Sequence, residues 1–198
     1  MELTYLNYVN EVAQSLKKAT FTDGNFQALS EEDAMNAWVD LTSEVKEAGR
    51  FVFLIGNGAS ATMASHFAAD ISKNGMIRAM SLNDQALLTA IGNDNGYENV
   101  FSMQLYRYAS KGDLLVTVSS SGNSPNIIKA LHAAEDIGMN IVTLSGFKPD
   151  NQSRPFGKIN LYVPALSYGI VECSHNIVLH CWMDRLEKLT KIPFLEGV

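Results

Sequence analysis

Apolar residues recur at helical spacing at the start of the chain: Leu3, Leu6, Val9, Val12 and Leu16. One side of a helix over 3–18 carries all five, and a stripe of that kind has to be covered by another surface. Thr22, Asp23, Gly24 and Asn25 then break the pattern. Ser30 with Asp33 three positions on resembles a capping box, with Asp in place of the usual Glu, and a second helix continues from Ala34 to Ala48. Residues 1–48 therefore read as a helical pair.

From Arg50 the period changes. Phe51 to Ile55 is an unbroken apolar run ending at Gly56, as expected of a strand covered on both faces in a parallel sheet. A helix follows from Ala59 to Lys73, then a strand at Met80 to Leu82 and a second apolar run at Leu114 to Val118. Ser124 as N-cap and Pro125 at the first helical position open a helix to Ile137. Strands at Asn140 to Leu144 and Ile159 to Val163 and a long helix from Ile170 to Leu189 complete the pattern. The alternation over 50–190 predicts one α/β domain, with a parallel sheet of about five strands and right-handed crossovers. Phe147 to Phe156, with Pro149, Asp150, Asn151 and Pro155, reads as a mobile loop.

Composition narrows the functions open to such a fold. Of 198 residues, 46% are hydrophobic and 18% charged, which suits a single globular domain with a real core. The net charge of −6 disfavours contact along a nucleic-acid backbone. It leaves room for a local anion site, because backbone N–H groups bind phosphate without a basic patch. Cys173 and Cys181 are too few for a disulfide framework and read as reduced thiols packed on a helix. Met1 to Thr4 lacks the basic start and apolar run of a signal peptide, and no stretch is apolar enough to cross a bilayer. A cytoplasmic protein is expected.

Ligands of open α/β sheets bind beyond the carboxyl ends of the strands. Two loops at such positions are unusual. Gly56-Asn57-Gly58-Ala59-Ser60 follows the first apolar strand, and Ser119-Ser120-Ser121-Gly122-Asn123-Ser124 follows the Leu114 to Val118 strand. Both lead into helix N-termini, where unpaired N–H groups and the helix dipole favour an anion. Ser119, Ser120, Ser121 and Ser124 add hydroxyl donors without adding charge. Glycine and serine also serve ordinary tight turns; the two loops together, each at a strand end, favour a ligand. The first lacks the third glycine of a dinucleotide fingerprint, and no P-loop motif is present.

Acid–base candidates lie on the helices. His66 and Asp70 are four apart and share a face. Glu172, His175 and His180 lie on the last helix, with the two histidines on opposite sides of Glu172, so spacing does not choose between them. Two histidines and two carboxylates could hold a divalent ion such as zinc. They could equally be ordinary satisfied polar groups.

Four stretches resemble the bacterial phosphoheptose isomerases, in order and at similar spacing: Gly56 to Ala69, Thr89 to Asp94, Ser121 to Asn126 and Glu172 to His180. The likeness covers roughly residues 50–185. It implies a SIS fold, a five-stranded parallel sheet flanked by helices, with two N-terminal helices that pack in a homotetramer. It also implies an isomerase that converts sedoheptulose 7-phosphate to D-glycero-D-manno-heptose 7-phosphate, a precursor for lipopolysaccharide or capsule. Under this resemblance Ser119, Ser120, Ser121 and Ser124 hold the sugar phosphate. Asn57, Gly58, Ala59, Asn93 and Asp94 contact the sugar, and Ser60, Asp70 and Glu172 complete the substrate-binding set. His66, Asp70, Glu172 and His180 match zinc ligands, and Asp70 with His180 matches the acid–base pair. His175 matches a family histidine outside the ligand set. Such a reaction moves a proton between C1 and C2 through an enediolate, which needs a base and an acid or metal.

The chain departs from that family at the sugar end. Asp70 stands where the isomerases have Glu, one methylene (about 1.5 Å) shorter. Glu172 replaces a Gln, and Gly169 and Ile170 stand where Asp and Arg are usual. The serine loop is intact, so the departures bear on the sugar chain more than on the chemistry. Two other readings are a non-catalytic SIS protein resembling the DnaA initiator-associating protein, and a sugar-phosphate sensor without turnover. The former lacks the acid and histidine matching Asp70 and His180.

Overall fold

The structure, a computed structural model, describes residues 4–190, with side chains to residue 188. Leu3 of the N-terminal stripe lies outside the described residues. Helix α1 (Tyr5–Lys17) is capped by Thr4, whose hydroxyl accepts from the Asn7 N–H. A short hairpin follows, β1 (Thr20–Thr22) and β2 (Ala28–Leu29), its turn held by Asp23 Oδ1, which accepts from the N–H groups of Asn25 and Gln27. Helix α2 (Glu31–Glu47) starts at Ser30, which accepts from the Asp33 N–H and donates its hydroxyl to the Asp33 carboxylate.

The core alternates as expected: β3 (Phe51–Gly56), α3 (Ala59–Lys73), β4 (Arg78–Ser81), β5 (Leu114–Ser119), α6 (Pro125–Ile137), β6 (Asn140–Gly146), β7 (Ile159–Val163) and α7 (Tyr168–Thr190). Between β4 and β5 run two helices that the pattern does not predict, α4 (Gln85–Asn95) and α5 (Ser102–Tyr108), joined through a 3₁₀ turn at Tyr97–Asn99. The sheet order is β2-β1-β7-β6-β5-β3-β4. Strands β4, β3, β5, β6 and β7 are parallel, matching the SIS expectation. The sheet is nonetheless seven-stranded, because the hairpin adds antiparallel to the edge of β7, with Phe21 opposite Leu161. The hairpin covers an edge that would otherwise be open to pairing.

The continuous apolar strands are explained by burial on two sides. Val52 and Leu54 face one cluster with Trp38, Phe67, Ile71 and Trp182. Phe53 and Ile55 face the other with Phe101, Leu105 and Leu131. Trp38 of α2 stacks on Trp182 of α7 at 4.4 Å between ring centroids, and Trp182 Nε1–H donates to Thr42 Oγ1. Two expectations are corrected. Cys173 and Cys181 lie on α7 but are exposed, because they fall on the faces turned away from the core. Loop 147–156 is packed, since Asn151, Ser153 and Arg154 are buried and hydrogen-bonded.

Candidate active site

Strands β3 and β5 are neighbours, so their C-terminal loops meet. Asn57 and Asn126 lock the two loops with a reciprocal pair: Asn57 Nδ2–H donates to Asn126 Oδ1 at 3.0 Å, and Asn126 Nδ2–H to Asn57 Oδ1 at 2.8 Å. Tyr97 from the 3₁₀ turn donates its hydroxyl to Asn57 Oδ1. The serine loop then turns at Gly122, whose φ of 61° is the left-handed region that favours glycine. The Gly122 N–H donates to the carbonyl and hydroxyl of Ser119, and the Asn123 N–H to Ser121 Oγ. Ser124 takes the N-cap place of α6 without a side-chain cap hydrogen bond; Pro125 has no N–H and the Ile127 N–H donates to Asn126 Oδ1, so the Asn126 N–H is the one left to an outside acceptor.

These groups surround a recess of about 130 Å³ lined by Asn57, Ser60, Val118, Ser119, Ser120, Ser121, Ser124, Tyr168 and Glu172. Hydroxyls and a helix N-terminus converge there, as phosphate binding requires. A larger recess, about 400 Å³, lies between α1, α2 and α7, lined by Leu16, Phe21, Met35 and Ile177 with Glu31, Glu32, Lys17 and Arg185. Most of that lining is apolar, and Arg185 there is paired with Glu32 rather than turned to an anion.

The acid–base candidates form a second group. His66 Nε2 lies 3.3 Å from Asp70 Oδ2 on α3. The His180 ring of α7 is 5.6 Å from that of His66 and packs edge-on against Phe67. His175 is wholly buried, and its Nε2–H donates to the Ser145 carbonyl. Burial pushes its pKa down to about 4, against a smaller opposing effect of that hydrogen bond. Burial thus separates the two histidines that spacing could not: His175 is in the core and His180 is exposed beside His66.

The SIS domain profile matches residues 7–146, well over half of the chain. The chain belongs to the SIS domain family. A phosphoheptose isomerase of Helicobacter pylori (strain P12) is 33% identical over 163 residues, 79% of this chain and 84% of that protein. The phosphoheptose isomerase of Escherichia fergusonii is 32% identical over 190 residues, covering 92% and 94%. The solved structure of the Neisseria gonorrhoeae phosphoheptose isomerase superposes with a TM-score of 0.79 at 29% identity, covering 92% of this chain and 94% of that one.

In this SIS chain the expected phosphate group, Ser119, Ser120, Ser121 and Ser124, comes together with Asn57, Ser60 and Glu172. Gly58 and Ala59 start α3 beside it without lining the recess. Asn93 and Asp94 are exposed on the last turn of α4, hydrogen-bonded to each other and outside the recess lining. The four expected metal ligands do not converge. Glu172 faces the serine recess and His180 lies eight residues further along the same helix, a rise of about 12 Å. Among the described residues no group of three or more His, Cys, Asp or Glu could hold a metal ion.

Sequence reasoning missed Asn126, Tyr168 and Tyr8. An Asn directly after the Ser124-Pro125 helix start is a usable signal for the first. Tyr8 had none, because its role is long-range: a Cβ at Gly169 would run into its hydroxyl. A tyrosine from α1 therefore fills the space that a side chain at 169 would enter.

Proposed function

We propose that this chain is a phosphosugar isomerase interconverting sedoheptulose 7-phosphate and D-glycero-D-manno-heptose 7-phosphate. The observation that carries the reading is the serine recess at the end of β5, in a chain 32–33% identical to phosphoheptose isomerases over most of its length. The serine loop holds the phosphate through N–H groups and hydroxyls. Asn57, Gly58, Ala59, Ser60, Asn93, Asp94 and Glu172 belong to the sugar's surroundings. Asp70 takes the proton from C1 and returns it to C2, while His180 gives a proton to O2 and takes up the one that O1 releases. As placed in the single chain, His66, Asp70, Glu172 and His180 do not fit a shared zinc ion, and no step is routed through one. A homotetramer is part of the proposal, supported by Tyr5, Leu6 and Val9 of α1, which leave an apolar face exposed. So is a place in the cytoplasm, in the supply of surface-glycan precursors; no helix of the described residues is long and apolar enough to cross a membrane.

The test is turnover. Purified protein is incubated with sedoheptulose 7-phosphate and with other ketose phosphates, with and without zinc, and aldose formation is followed. Aldose formation that is lost in Asp70→Asn and in His180→Ala supports the reading. Binding of phosphosugars without turnover, unaffected by either substitution, would sink it and leave a sensor or a non-catalytic SIS protein.

A further inference from the structure

The serine loop is held in shape from outside itself. Its Gly122 carbonyl accepts from the Ser153 N–H at 3.0 Å, and the Asn123 side-chain oxygen accepts from the Gln152 N–H at 2.9 Å. A carbonyl left facing a phosphate would repel it; this one is committed elsewhere. Contact is so close that a Cβ at Gly122 would overlap Asn151 Oδ1 and Ser153 Oγ.

The partner segment is itself anchored. Asn151 is 2% exposed; its amide donates to Ser145 Oγ at 3.1 Å and to the Lys148 carbonyl at 2.9 Å. Ser153, 1% exposed, donates its hydroxyl to Asn151 Oδ1 at 2.8 Å. The Ser145 carbonyl in turn accepts from His175 of α7. Arg154 is buried between the rings of Phe26 and Tyr162 and donates to the Pro149 carbonyl. A chain of hydrogen bonds thus runs from α7 through the end of β6 and Asn151 to the Gly122 turn. The side-chain groups of Asn151 and Ser153 are both paired, and satisfied buried groups of this kind fix one geometry.

We propose that Asn151 and Ser153 are positioning residues for phosphate, holding the Gly122 turn of the serine loop in the shape that receives the anion. The inference rests on the phosphosugar reading of that loop. Neither residue lines the recess, so each acts through the loop rather than on the ligand.

The experiment compares the full-length protein with Asn151→Ala and Ser153→Ala. It measures kcat and KM for sedoheptulose 7-phosphate, and the affinity for inorganic phosphate by calorimetry. Loss of one or two buried hydrogen bonds predicts that KM and the phosphate dissociation constant rise together by roughly ten-fold. The expected change in kcat is much smaller. A variant that melts earlier but keeps KM and phosphate affinity within about two-fold of the parent would make the segment merely structural and overturn the proposal. Should Asn151→Ala fail to fold, the smaller Ser153→Ala decides the matter alone. If the parent binds phosphate but turns over no ketose phosphate, the isomerase reading falls and the calorimetric comparison still decides this one. If the parent binds no phosphate, both fall.

Discussion

Acid should destabilise this protein through His175. The side chain is fully buried, its Nε2–H is used by the Ser145 carbonyl, and its Nδ1 has no hydrogen-bond partner. Charging it places an unpaired cation in the core, so burial lowers its pKa from 6.5 to about 4. In the unfolded chain the group titrates normally. Between pH 6.5 and about 4 the unfolded state therefore binds more protons, and stability falls as pH falls through that window. The full effect is roughly 3 kcal/mol at 1.36 kcal/mol per pH decade. About 2 kcal/mol of it is lost between pH 7 and pH 5, before most carboxylates titrate. His175→Gln keeps a donor for the Ser145 carbonyl and cannot charge. Urea unfolding at a fixed protein concentration, at pH 7 and pH 5, gives the comparison. The parent should lose about 2 kcal/mol more than the variant over that interval. Equal losses in the two proteins would refute the argument, because the exposed histidines are common to both.

Three further outcomes are expected. Trp182→Ala removes a fully buried ring and its stack on Trp38, and should cost about 3–5 kcal/mol in chemical unfolding. Gly169→Ala drives a methyl into the Tyr8 hydroxyl and should cost about 1–3 kcal/mol, which Tyr8→Ala in the same chain largely restores; a double variant no more stable than the single one would exclude the clash. Asn126→Ala breaks the reciprocal pair with Asn57 and should lower stability by about 1–3 kcal/mol and raise KM, seen by melting and steady-state kinetics.

What the sequence disclosed and what it hid divide along the range of the interactions. Strands β3 and β5 were readable because burial on two faces leaves a continuous apolar run. The serine loop was readable because its chemistry is local: hydroxyls, a glycine and a helix start within six residues. The hairpin was not, because β1 and β2 are three and two residues long and owe their pairing to β7, more than a hundred positions away. Helix α4 has no fully buried residue and so shows little apolar stripe. The 147–156 segment carries prolines and polar residues and reads as loose, yet its polar groups are spent inside the molecule on β6 and the serine loop. His175 and His180 were equivalent by spacing, and only the packing of α7 against β6 made one a core residue.

Gly169 shows how that range also governs the sugar end. By itself the glycine looks like a side chain lost, an emptied corner beside Tyr168 and Glu172. In the folded chain the space belongs to Tyr8 of α1, about a hundred and sixty residues earlier, whose hydroxyl also lies by Cys173. Burial, and then Cys173, push the Tyr8 pKa up, so the group stays a neutral donor at physiological pH. A neutral phenol at that corner offers a ligand one donor and no charge. An Asp placed at 169 alone would collide with that hydroxyl, so a side chain is accepted there only if position 8 changes with it.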